Sequence, residues 1–418
     1  MKKYYFILAA AALGFASCSS DETIAENQSL NEANEISFRA LKTNVTRGAE
    51  ASFNVTGNQF KVTAYEQGAT TNKYFANETF TRQENGTFTS SNKHYWPLTY
   101  NLDFYAWQPA TLSASTGDYT AIEVTPGTTI NAQPDLVYAV TRDWGKKSGT
   151  PATHYIDGDP EGVTINFRHA ESKIAIKLAN SNPNLKITVG DVKICNLRGT
   201  ETFSWNGVTN GTTTTAAATA TTDGQYTSGT LTYLNGTWTA ASAQTSAYSV
   251  TMESTASYNV FDGVVAAKTL YNSGDAKDYD MILIPQALKI ATAYPEATEG
   301  SAFDAAYISV KLKIQNHDND AYIVGSTDDP NAVEGWVEAM WPLTALTWLP
   351  GHKYTYTVNL DGGGYFPANK AAIGTGTALD PILAGAEIKF VTVTVDNWED
   401  EAGNVYTGGV TPPAPVIP

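Results

Sequence analysis

Cysteine is almost missing from this chain: two residues in 418, Cys18 and Cys195. A disulfide-stapled scaffold is thereby excluded. With Cys18 assigned below to a lipid, Cys195 stands alone and reads as a small apolar strand residue. Charge is scarce too. Asp, Glu, Lys and Arg make up 16% of the chain, against about 25% in typical soluble domains. What charge there is leans acidic, 26 − 42 = −16, which argues against nucleic acid and anionic membrane surfaces as partners. No apolar run at helical spacing exceeds about 10 residues, so any helices are short. The short motifs of catalysis are missing as well: there is no GxSxG elbow, no HExxH and no GxxxxGK[ST] phosphate loop. Gly362-Gly363-Gly364 is a turn tract with no following helix and no Lys in place. The five histidines, His94, His154, His169, His317 and His352, stand at neither metal nor catalytic spacing, and among the many carboxylates no pair stands out as a glycosidase would need. The expectation is a non-enzyme with no cofactor and no metal.

At its start the chain carries a targeting pattern. Lys2 and Lys3 precede an apolar stretch, Tyr4 to Ala16, shorter than the ~20 residues that span a bilayer. It ends in Phe15-Ala16-Ser17-Cys18, which resembles a bacterial lipobox with Cys18 as the acylated residue; an ordinary signal peptide cleaved near Ala16 is the alternative. Residues 1–17 are thus read as a signal peptide and 18–34, polar and acidic, as a tether.

Beyond the tether the pattern is period two, punctuated by turns. Phe60, Val62 and Ala64 alternate with polar neighbours. Leu102, Phe104 and Ala106 alternate with Asp103, Tyr105 and Trp107, as expected of a half-buried strand. Val163 to Leu178 reads as a hairpin turning at Ala170–Ser172, with His169 in phase with Ile165 and Phe167 as a core or junction residue. Asn180 to Asn184 is a linker by its turn chemistry. Ile187 with Val189, then Val192 with Ile194, are early strands of a second half. Residues 209–247, rich in Thr, Ala, Ser and Gly, read as long surface hairpins. Met281 to Pro285, Ile308 to Ile314, Tyr356 to Leu360 and Ile388 to Trp398 are further strands, the last with a bulge between Phe390 and Val391. Regularly spaced short strands predict an all-β fold of two sandwiches, 35–180 and 181–400, followed by a Gly/Pro-rich tail, 401–418.

The stretch Glu35 to Gly48 organises this reading. Ile36, Phe38 and Ala40 alternate with Glu35, Ser37 and Arg39, the pattern of an edge strand with one buried face. Arg47, followed by Gly48, lies in a short polar connector open to proteases. If that bond is cut, the body keeps a slot that an extended segment of another molecule can fill.

Several stretches, in order along the chain, resemble the fimbrillin family (Mfa-like, FimA superfamily), pilin-type lipoproteins of Bacteroides-type bacteria. They are Ile36–Arg39 with Thr46-Arg47, Tyr95-Trp96-Pro97, Leu102–Trp107, Phe167-Arg168-His169-Ala170 with Lys173, Leu283-Ile284-Pro285-Gln286, Pro350-Gly351 with Tyr354–Tyr356, and the Ile388–Trp398 strand. Ser19-Ser20-Asp21-Glu22 is similar to the acidic signal that sends such lipoproteins to the outer face. The resemblance implies two transthyretin-like β-sandwich domains in tandem and an outer-membrane, surface-exposed lipoprotein. It also implies cleavage by an arginine-specific protease, with Arg47 at the matching position, and polymerisation with other fimbrial subunits by strand exchange. Arg39 lies inside the strand and is the poorer cleavage site. A stalk subunit would offer an alternating donor strand where this chain has 401–418, so tip, accessory and anchor roles stay open.

A glycan-binding surface lipoprotein that does not polymerise is the second reading. Nine Trp and 23 Tyr could stack on sugars of a host or bacterial surface, with Trp144, Trp205, Trp238 and Trp336 in loop-like contexts; packing at sandwich edges is the other explanation for them. Asp157–Glu161, Asp318–Asp320 and Asp328–Asn331 with Glu334 space hard oxygens as Ca²⁺ prefers, yet none completes the twelve-residue calcium loop.

Overall fold

The computed structural model describes residues 35–40, 53–67, 69–114, 121–145, 154–155, 162–204, 237–250, 259–270, 280–289, 305–362, 364, 383 and 391–397, isolated positions within those spans apart. Among the described residues the structure is nearly all β, with short 3₁₀ turns at Ile130–Ala132 and Leu360–Gly362. The all-β expectation holds.

A nine-stranded sheet comes from the first part of the chain. Its strands are β1 (Phe38–Ala40), β2 (Gln59–Glu66), β3 (Lys73–Arg82), β4 (Phe88–Ser90), β5 (Leu102–Gln108), β7 (Val137–Gly145), β8 (His154–Tyr155), β9 (Val163–Ile165) and β10 (Arg168–His169). They run in the order β10-β7-β5-β2-β3-β4-β1-β9, with β8 on β7. One face packs Phe60, Val62, Ala64, Leu102, Phe104, Ala106, Val137 and Ala139 with Phe38, Phe80, Phe88 and Phe167. The other packs Tyr65, Tyr105, Trp107 and Tyr138 under Ile122, Val124 and Phe203. That second face is covered by a three-stranded sheet in the order β14 (Thr237–Thr239), β13 (Glu201–Ser204), β6 (Ala121–Val124). Leu102 to Trp107 is therefore buried on both faces, not half-buried as its alternation suggested. Tyr and Trp bury an apolar body while their polar tips find partners, as Trp107 Nε1 does by donating to the Leu112 carbonyl at 3.0 Å. The described part of the 209–247 insert likewise departs from a surface hairpin, because Trp238 on β14 packs against Phe203, ring centroids 5.3 Å apart.

The rest forms two sheets around a second core. One has the order β17 (Val265–Lys268), β11 (Ser172–Asn180), β22 (His352–Asn359), β23 (Thr392–Asn397), with β18 (Met281–Leu283) on β11. The other has the order β15 (Gln244–Ser249), β12 (Leu185–Arg198), β19 (Tyr307–Asn316), β20 (Tyr322–Val324), with β16 (Val260–Asp262) on β12 and β21 (Val337–Pro342) on β19. Ile174, Ile176 and Leu178 face Ile187, Val189, Ile308, Val310 and Trp348 in this core. The hairpin expected over Val163–Leu178 is corrected here. β9 pairs in parallel with β1, and β10 pairs antiparallel with β7. β11 leaves them to run parallel to β22 from Lys173↔Lys353 to Ala179↔Asn359. A turn at Ala170–Ser172 alternates just as well whether the next strand folds back or crosses to another core. The two short strands at Ile187–Val189 and Val192–Ile194 are one strand whose register shifts between Val189 and Asp191. There Gly190 lies under Trp336, and a Cβ would sit 2.9 Å from the ring. β23 keeps Val393 and Val395 against the core; Phe390, one side of the expected bulge, lies outside the described residues.

Candidate functional site: the slot occupied by residues 35–40

Phe38 and Ala40 lie in a sheet, with Ile36 just ahead of the strand, but the strand is not at the sheet's edge. β1 pairs antiparallel with β4 through Phe38↔Phe88 and parallel with β9 through Phe38↔Val163, Arg39↔Thr164 and Ala40↔Ile165. Just before it, Glu35 bridges Tyr95, the Ile36 N–H donates to the His94 carbonyl at 2.7 Å, and the Val163 N–H donates to the Ser37 carbonyl at 2.8 Å. Lys93 pairs with Glu35 at 3.0 Å, an exposed contact of small worth. The edge position expected from sequence is corrected: β9 covers the outer side of β1. Removing residues 35–40 would open a gap with hydrogen-bonding groups on both flanks.

Burial within the stretch is uneven. Ile36 and Phe38 are fully buried, while Ala40 is partly buried at the margin of the same core. Phe38 enters a socket of rings, with centroids 4.6 Å from Phe80, 5.1 Å from Phe104 and 5.9 Å from Phe60, all in edge-to-face contact. Such geometry sets the positive ring edge against a negative ring face. At about 1.5–3 kcal/mol for each fully buried side chain, Ile36 and Phe38 carry most of what holds this stretch in place. Gly162 completes the slot from the β9 side. Its φ is +80°, and a Cβ there would sit 2.6 Å from the Ser37 backbone. Neither Gly162 nor the Phe60–Phe80–Phe104 socket was singled out from sequence, because nothing local marks a glycine or phenylalanine as the neighbour of a strand so distant in the chain.

Cys18, Arg47 and Gly48, the lipidation and processing residues, lie outside the described residues. Cys195 is buried on β12, and burial raises its thiol pKa to about 11, which leaves it unreactive as a thiolate near neutrality.

A second polar group lies where the chain crosses between cores. His169 Nδ1 and Asp135 Oδ1 are 2.7 Å apart, both fully buried. Glu171 is buried beside them and accepts from the Leu136 N–H at 2.6 Å, while its Oε1 has no hydrogen-bond partner among the described residues. Desolvation first, then the Asp135 charge, holds the Glu171 carboxyl well above the usual carboxylate range. Two hydrogen bonds tie the same point to the second core: the Gly351 N–H donates to the Glu171 carbonyl at 2.8 Å, and Ser172 Oγ to the Leu349 carbonyl at 2.8 Å. These contacts make a structural seam, with His169, Asp135 and Glu171 all buried.

Three of the four tryptophans considered for sugar stacking, Trp144, Trp238 and Trp336, make other contacts. Trp144 packs at the margin of the first core and its Nε1 donates to Thr141 Oγ1 at 2.6 Å. Trp238 Nε1 donates to the Ala170 carbonyl at 2.7 Å. Lys313 Nζ lies over the Trp336 ring, 4.6 Å from its centroid. Trp205 lies outside the described residues. Of the acidic loops, 157–161 lies outside them too. Asp320 pairs with Lys186 at 2.7 Å, and Asp329 accepts from the Gly325 N–H at 2.9 Å. Among the described residues no group of three or more His, Cys, Asp or Glu is placed to hold a metal.

The family model described as fimbrillin-like matches residues 43–398. Among curated proteins none matches. Solved structures similar to this chain include a proposed cell adhesion protein from Bacteroides uniformis, at 15% identity and a TM-score of 0.39, covering 87% of this chain and 99% of that one. Another, from Parabacteroides distasonis, is 10% identical with a TM-score of 0.42, covering 88% and 98%. The tip fimbrial protein Mfa3 from Porphyromonas gingivalis, C-terminally truncated, is 8% identical with a TM-score of 0.35, covering 87% and 100%.

Proposed function

Because this chain belongs to the fimbrillin-like family, we propose that it is a fimbrial subunit, in a shaft, accessory or tip position, that serves surface adhesion and performs no catalysis. It assembles by replacement of β1. The chain is held first at the outer membrane by an acyl group on Cys18. An arginine-specific protease then cuts after Arg47, leaving Gly48 as the new start, and residues 35–40 depart. A strand from another fimbrial subunit takes their place, and the subunit passes from the membrane to the fimbrium. The two halves, 35–180 and 181–400, are read as tandem sandwich units that share a seam, with β11 lying on the second core and β13 on the first.

The observation that supports this reading best is the position of β1. It is three residues long, it lies between β4 and β9, and the stretch is gripped by two fully buried side chains, Phe38 within it and Ile36 just before it. A strand so short leaves a two-sided gap, and main-chain groups on both flanks must find a new partner or water. Residues 401–418 are Gly- and Pro-rich and poorly suited to donate a ladder strand, which favours a tip or accessory position over a repeating shaft.

The test is N-terminal sequencing of surface-recovered protein together with an Arg47→Ala variant. A mature chain starting at Gly48, and heat-labile ladders on gels that vanish in the variant, are expected. A surface chain that begins at Cys18 and still forms ladders would overturn the reading.

A further inference from the structure

The slot left by β1 is selective in shape, and three features define what fits. First, the Phe38 position opens into a socket whose walls are Phe60, Phe80 and Phe104, each meeting the resident ring in edge-to-face geometry at 4.6–5.9 Å. A branched aliphatic side chain fills less of that volume and has no ring edge to offer. Second, two residues earlier, Ile36 is fully buried while its N–H reaches the His94 carbonyl at 2.7 Å. An occupant therefore needs an apolar side chain and a free main-chain N–H at the same position, which excludes proline. Third, the two flanks have opposite sense, antiparallel at β4 and parallel at β9. Gly162 brings the β9 flank so close to the Ser37 backbone that the path between them is narrow.

Resting on the exchange reading above, we propose that the Phe38 socket is the specificity determinant of the slot. The strand that replaces β1 carries an aromatic ring in the socket and has a non-proline aliphatic residue two positions before it. Residues 401–418 of a second copy do not satisfy this pattern. Tyr406 is preceded at two positions by Asn404, and beyond it Gly408, Gly409, Pro412, Pro413, Pro415 and Pro418 break up every apolar alternation. Residues 401–418 thus lack the spacing of ring and aliphatic side chain that Ile36 and Phe38 supply.

The experiment starts from the full chain, cut after Arg47 with an arginine-specific protease, with release of the fragment followed by native mass spectrometry. The cut protein is then offered synthetic peptides: residues 33–42, the same peptide with Phe38→Leu or Phe38→Ala, and residues 401–418. Uptake is expected in the order Phe, Leu, Ala. The Ala peptide should bind at least about a hundredfold more weakly than the parent, as large-to-small changes in a packed site imply, and the 401–418 peptide should not be taken up. A Phe80→Leu substitution in the receiving body should bring the Phe and Leu peptides to within about threefold of each other. Equal uptake of the Phe, Leu and Ala peptides, or tight uptake of the 401–418 peptide, would overturn the proposal while leaving strand exchange standing. A body that has released its fragment and takes up no peptide would overturn the exchange reading itself, and this proposal with it.

Discussion

Phe38 meets Phe80 edge-on, ring centroids 4.6 Å apart and planes at 88°. That contact joins a residue from a three-residue strand to one in the middle of a sheet, with Phe104 and Phe60 completing the enclosure. The strand is short on hydrogen bonds and rich in one side chain, so its hold on the body depends disproportionately on that ring.

Phe38→Ala in the uncut chain should therefore cost about 3–5 kcal/mol if the site does not collapse, and Phe38→Leu clearly less. Urea unfolding of the three proteins measures both. Near-equal midpoints for wild type and Phe38→Ala would mean that the ring is not what holds β1.

Gly162→Ala should be destabilising for two separate reasons. The residue sits at φ +80°, and its new Cβ would fall 2.6 Å from the Ser37 carbonyl carbon and oxygen. Left-handed backbone at a non-glycine residue costs about 1 kcal/mol or more, and the contact adds to it. Gly57→Ala is the control, with φ +91° but open space around the added atom. The expected result is a larger loss at Gly162 than at Gly57, accompanied by faster amide exchange at Ile36 and Val163. Equal losses would reduce the Gly162 effect to backbone strain alone.

Glu171→Gln should stabilise the protein near neutral pH and flatten its pH dependence. Burial and the Asp135 charge hold the Glu171 carboxyl well above its ordinary value of 4.5, with the Leu136 N–H opposing them. Below about 4.5 it is protonated in both the folded and unfolded chains, so its contribution is fully present. As pH rises, the unfolded chain loses the proton first, and stability falls until the folded group ionises too. His169 and Asp135, facing it across the seam, keep their 2.7 Å contact in the variant. Urea midpoints at pH 5 and pH 8 should converge for Glu171→Gln relative to wild type, whereas parallel shifts would place the pH dependence elsewhere.

Asp135→Asn should be costly for a different reason. Its partner His169 is fully buried 2.7 Å away, and disturbing a buried hydrogen bond typically costs about 1–3 kcal/mol. Thermal melts should show a large drop in Asp135→Asn and a small one in an exposed control, Lys186→Ala, whose pair with Asp320 is partly exposed to solvent.

Much of this molecule could be read along the chain. Period-two alternation at Phe60–Ala64, Ile174–Leu178 and Ile308–Ile314 marks strands and their buried faces, and each is buried as expected. The same logic misjudged Leu102–Trp107, because hydropathy scores Tyr105 and Trp107 as outward-facing when a second layer covers them. It also misjudged the partner of Ser172–Asn180, since a strand's pattern says nothing about which strand lies beside it.

By itself, the sequence determined the all-β character, the apolar face of Ile36 and Phe38, and the lone buried status of Cys195, because each follows from side-chain chemistry and spacing within a few residues. Only the tertiary structure decided that β1 lies between β4 and β9, that three distant phenylalanines enclose its ring, and that Gly162 closes the slot. Those facts depend on pairings such as Phe38 with Val163, which are set by how whole sheets pack and leave no trace in the local order of residues.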